Sequence, residues 1–143
     1  MSSFCPAHQF PRAHIDPIDD DRAQLIIASV IDLPLRPEIV AIVVDHQRRG
    51  VAIINVDAVL GSDGVHAVVE MVIELGRQQP ATGGLILASV RPGGGDELDD
   101  VERWLDLDHD LSAAGIELLE WYVIGTSISR PRALLGEPAR WTG

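Results

Sequence analysis

Apolar residues fall in short blocks along the chain, and the spacing within each block predicts a distinct element. Residues 39–44 are a β-branched run, Gln47-Arg48-Arg49-Gly50 is a polar turn ending in glycine, and residues 51–56 are a second β-branched run. Together they read as a hairpin. Beyond Gly61-Ser62-Asp63, where Ser62 or Asp63 can cap a helix, Val65, Val68, Val69, Val72, Ile73 and Leu75 recur at three- and four-residue spacing until Gly76 and Pro80. That spacing predicts one amphipathic helix. Residues 85–90 then form an uninterrupted apolar run of the kind buried on both faces, expected as a central strand. After the loop Pro92-Gly93-Gly94-Gly95, residues 96–114 predict a second helix with Leu98, Val101, Trp104, Leu105 and Leu111 on its inner side. Its acids gather at the start, where the helix dipole favours them. Gly115 stops that helix, residues 116–124 make a further strand, and Gly125 ends it. Upstream, residues 22–31 are dense enough in apolar positions for a short helix or strand, which Pro34 and Pro37 cut off. Strand, strand, helix, strand, loop, helix, strand predicts an α/β fold, a mixed β-sheet flanked by helices.

The two ends lack such patterns. Residues 1–20 carry Pro6, Pro11, Pro17, His8, His14 and the run Asp19-Asp20-Asp21 with no hydrophobic period, and are expected as a flexible arm. Residues 21–130 are expected as one domain, and residues 131–143 as a tail whose position the pattern leaves open. A length of 143 residues suits a single domain, and 46% hydrophobic against 4% aromatic residues predicts an aliphatic core.

Charge and cysteine content narrow the function classes. Eleven Lys and Arg against 22 Asp and Glu give −11, which opposes the counterion release that draws proteins onto nucleic acids. No nucleic-acid partner is expected. Nor is a membrane partner, because the apolar runs are far shorter than the ~20 residues of a spanning helix and no basic start leads into an apolar leader. Cys5, the one cysteine, can form neither an internal disulfide nor by itself a structural zinc site, which fits a reducing cytoplasm.

Several constellations of residues bear on chemistry. The segment from Ser89 to Asp96 leaves a buried strand through three glycines, the place where α/β proteins commonly hold ligands. It lacks the endings of a P-loop or a Rossmann loop, and the acids after it repel anions. The acidic positions Asp96, Glu97, Asp99, Asp100, Glu102, Asp106, Asp108 and Asp110 do not have EF-hand spacing and read as a solvated face. His46, His66 and His109 share no i, i+4 pair, His8 and His14 lie in the arm, and Ser62, Ser89, Ser112, Ser127 and Ser129 have no nucleophile-elbow context.

Over roughly residues 36–126 the element order and local sequence resemble the RadC-like branch of the JAB/MPN (JAMM) family, a cytidine-deaminase-like fold. Residues 113–125, Ala-Ala-Gly-Ile-Glu-Leu-Leu-Glu-Trp-Tyr-Val-Ile-Gly, are similar to the family's ending, with Glu120 and Trp121 in place of its Asp-His. Residues 36–45 are similar to its first strand, and Glu38 matches the acid that serves the metal-bound water. The resemblance implies a zinc site with two histidines at the end of the central strand and an aspartate in the next helix. Here those histidines are Ser89 and Arg91, followed by Pro92 and Gly94, and the aspartate is Asp100. Serine is a poor zinc ligand and arginine a cation, so no metal, cofactor or catalytic residue is expected. Glu38, Ser89, Arg91 and Asp100 are then vestigial positions, with Arg91 taking the metal's electrostatic place by pairing with Asp100 and Glu38. A non-catalytic module working through a protein partner or a homo-oligomer follows as the first expectation. Two alternatives stand beside it: a metal-dependent hydrolase that recruits His46 or His66 to Glu38 and Asp100, and a small-ligand binder with a pocket lined by Leu87, Ser89 and Trp104.

Overall fold

The computed structural model describes residues 3–6, 15–58 and 61–142, the first four and Thr142 by backbone alone. The expected His8 and His14 pair lies outside the described residues. Among the described residues, six strands form one sheet: β1 (Ser3–Pro6), β2 (Glu38–Asp45), β3 (Gly50–Asp57), β4 (Thr82–Val90), β5 (Glu117–Ile124) and β6 (Ile128–Ser129). They lie in the order β1-β3-β2-β4-β5-β6, with β4 and β5 parallel and every other pair antiparallel. The α-helices described are α1 (Asp20–Val30), α2 (Gly64–Gln78), α3 (Asp100–Ala113) and the short α4 (Pro131–Leu134).

Strands β2 and β4 are buried on both faces because apolar residues fill nearly every position along them rather than alternate ones. Along β2, Ile39, Ala41 and Val43 join a cluster with Val65, Val68, Val69 and Val72 of α2 and Trp104, Leu107 and Leu111 of α3. Val40, Ile42 and Val44 join a second cluster with Ala23, Ile26 and Ile27 of α1. One strand thus feeds two cores through its period of two. The expected hairpin is β2–β3, closed by a turn in which the Asp45 carboxylate accepts from the N–H groups of Gln47 and Arg49 at 2.8 and 2.9 Å.

Four local expectations change. Part of the segment expected as an arm is used by the fold: Ser3–Pro6 pairs with β3, Ile18 is buried, and Asp19 caps α1 by accepting from the Arg22 N–H at 2.9 Å. Asp20 and Asp21 fill the first turn of that helix, where carboxylates suit its dipole. The second main helix begins at Asp100 rather than at 96, and Leu98 and Leu105, expected inside, are 99% and 47% exposed. Helix α2 runs past Gly76 to Gln78, just ahead of Pro80; a Cβ at Gly76 would stand 3.0 Å from Ile116 Cδ1, so the glycine serves close packing rather than a helix stop. Asp63 sits at the N-cap of α2 without capping it and hydrogen bonds to Arg103 instead.

Candidate functional site

The C-terminal end of β4 delivers Ser89, Val90 and Arg91 to one place, opposite the start of β2, where Glu38 pairs with Val90 and Ile39 with Ser89. Glu38, Ser89 and Arg91 line one 230 Å³ pocket with Pro37, Ile39 and Ala58. The glycine loop after β4 folds back on itself: Gly94 N–H donates to Arg91 O at 2.9 Å, and Thr126 N–H donates to Gly94 O at 3.0 Å. That fold returns Arg91 towards the start of α3.

Arg91 is then held by Asp100. Nη1 donates to Asp100 Oδ2 at 2.7 Å and Nη2 to Oδ1 at 2.9 Å, a bidentate fork, while Nη1 also reaches Gly95 O at 3.0 Å. Asp100 is fully buried and accepts two further bonds, from Arg103 Nη1 at 3.0 Å and from the Glu97 N–H at 2.6 Å. Burial alone pushes the Asp100 carboxyl up, but the hydrogen bonds and charge of Arg91, with those from Glu97 and Arg103, outweigh it and hold it below the usual carboxylate range. The Arg91 guanidinium lies 5.8 Å from the ring centre of Trp121, whose indole N–H donates to Ser89 Oγ at 3.0 Å. Ser89, Trp121, Arg91, Asp100 and Arg103 therefore form one continuous polar chain through the edge of the α2–α3 core.

Glu38 is equally buried but belongs to a different set of partners. It accepts from Asn55 Nδ2 at 2.9 Å and from the Asp32 N–H at 3.1 Å, with Arg36 Nε at 3.8 Å. The expected pairing of Arg91 with Asp100 is present; its hydrogen bonds do not extend to Glu38. Asn55 and Trp121 are contributors that the pattern of charges did not single out. Asn55 faces Val40 in the β2–β3 ladder, so only strand register brings it to Glu38.

These residues do not fit a divalent metal. Both Asp100 oxygens are occupied by guanidinium and backbone donors, Ser89 Oγ accepts from an indole, and a cation stands between them. Among the described residues, no three His, Cys, Asp or Glu side chains are grouped to hold a metal ion. His46 lies in the turn at the far end of β2, eight residues from Glu38, or about 26 Å at the usual strand rise. Leu87 and Trp104, expected around a ligand pocket with Ser89, are core residues instead, because their strand and helix positions face the α2–α3 layer. Among the described residues, no helix is long and apolar enough to cross a membrane. No family model matches the chain, and neither does any curated protein or solved structure.

Proposed function

We propose that this chain is a non-catalytic domain of the RadC-like JAB/MPN kind that acts as a protein-binding or scaffolding module. The observation that carries the reading is the bidentate Arg91–Asp100 pair. At the strand end where the family resemblance implies zinc histidines and an aspartate, the carboxylate is bound by a guanidinium, which supplies fixed positive charge without an open coordination position. Further support comes from Glu38, Ser89 and Arg91 lining one pocket at the end of the central strand. A protein partner, or a second copy, is inferred because the polar groups of Ser89, Arg91 and Asp100 are committed to one another rather than left open for bond cleavage. A cytoplasmic setting rests on the single cysteine, and the absence of a nucleic-acid partner on the charge of −11.

Metal content of untagged protein, before and after zinc addition and desalting, tests the reading. The expected result is no retained zinc and no hydrolysis of peptide or isopeptide substrates. Stoichiometric zinc, with a hydrolytic activity lost in Glu38→Gln, would overturn it in favour of the metal-dependent hydrolase.

A further inference from the structure

Strand β5 pairs with β6 only through Val123 and Ile124. Ahead of these residues, side chains rather than a backbone ladder attach the C-terminal segment beside β5. Arg140 Nη1 donates to Leu118 O at 2.8 Å and to Asp108 Oδ1 of α3 at 2.7 Å. From the β2–β3 turn, Arg48 donates through Nη1 to Trp141 O at 2.8 Å and through Nη2 to Arg140 O at 2.9 Å. Trp104 Nε1 donates to Glu137 Oε2 at 3.3 Å, and the Arg140 guanidinium lies 4.8 Å from the centre of the Trp104 ring. Asp45, Arg48, Asp108, Glu117 and Arg140 also wall an open cavity of 790 Å³ at this end of the sheet.

Two observations mark the attachment as releasable. Arg48 holds a φ of 64°, in the left-handed region that suits glycine. A glycine would serve that turn better, and what arginine adds there is its grip on two carbonyls of the segment. The anchors are also imperfect: Asp108 and Arg140 are part-exposed and open to screening by salt, and the buried Trp141 indole N–H has no partner among the described residues. We propose that residues 138–142 form a strap, hinged at Glu137, which the buried Arg132 holds through its backbone, and latched by Arg48 and Arg140, that closes the outer edge of β5 and one wall of the cavity and opens by local unfolding while the rest of the domain stays folded.

Hydrogen exchange on the full chain, read by mass spectrometry, tests the strap. Peptides covering 138–142 and 117–119 are expected to exchange about tenfold or more faster than those covering 84–90, through local opening. Arg48→Gly and Asp108→Asn each speed the first two further, as does about 0.5 M salt, and leave 84–90 no faster. Equal protection of 138–142 and 84–90 in the wild type and both variants overturns the proposal. So does a loss of protection spread evenly over the chain in Arg48→Gly, since that substitution relieves the turn and removes only the latch.

Discussion

Asp100 shows how a single carboxylate organises one end of this protein. It is fully buried, yet its hydrogen bonds from Arg91, Arg103 and Glu97 keep it ionised. A carboxylate whose folded pKa is depressed adds stability that is fully present above its unfolded value, here 3.8, and is lost as pH falls through the folded value. Asp100→Asn is expected to cost about 3–5 kcal/mol at neutral pH, because two guanidiniums lose a buried partner. The gap between variant and wild type should narrow below pH ~4, and urea titrations at several pH values check it. A gap that stays constant from pH 7 to 3 would rule out the ionised pair as the cause. Ser89 sits one step along the same chain. Ser89→Ala leaves the Trp121 indole N–H buried without an acceptor, at an expected cost of about 1–3 kcal/mol. Adding Trp121→Phe should make the serine substitution nearly neutral; a double-mutant cycle with no coupling between the two positions would show the bond to be energetically silent. The positions of Arg91, Asp100 and Ser89, and the pairing of the first two, were legible only through the family resemblance. The role of Trp121 was not legible at all, since an indole donor facing a hydroxyl across parallel strands depends on register.

At the scale of elements, the glycine loop and the end of β5 depend on each other. A Cβ on Gly125 would stand 2.0 Å from Gly94 O, so this glycine is needed for backbone approach rather than for an unusual φ. The contact lies between two ladder-like bonds, Arg91 N–H to Ile124 O at 2.7 Å and Thr126 N–H to Gly94 O at 3.0 Å. Gly125→Ala must therefore push the loop off β5 and disturb the return of Arg91 to Asp100. We expect a loss of about 1–3 kcal/mol or more by chemical denaturation, partly removed in an Asp100→Asn background because both substitutions damage one unit. Strictly additive losses would separate the loop from the ion pair. The hairpin, α2 and the two buried strands were readable from periodicity, because apolar spacing reflects which faces meet a core. The start of α3 was misplaced for a physical reason: acids at 96–99 favour a helix start locally, but the bond from the Glu97 N–H to Asp100 ends a turn there and starts the helix four residues later. Leu98 is exposed as a consequence.

For the whole molecule, the charge of −11 is spread over a domain whose arginines are largely committed to acidic partners. The remaining acids repel one another, so moderate salt should raise the thermal midpoint by screening that repulsion, even while it loosens the C-terminal strap. Calorimetry from about 0.02 to 0.5 M salt checks this, and a falling midpoint would mean that the exposed ion pairs outweigh the repulsion. The sequence by itself determined the class of fold, the aliphatic core and the central position of β4, because each follows from local period or composition; the pairing of Arg91 with Asp100 was implied only by the family resemblance, since several acids stand near Arg91 in sequence. Only the tertiary structure decided how the ends of the chain are used. Asp19, Asp20, Arg130, Arg132 and Arg140 look like solvated charges in sequence, yet Asp19 caps a helix, Asp20 meets Tyr122 and Arg130, Arg132 is buried against Glu120, and Arg140 joins α3 to β5. Those partners lie from three to more than a hundred residues away. A charge has no period that reveals its partner, whereas an apolar face does, and for that reason the sheet could be read from the chain and its polar fastenings could not.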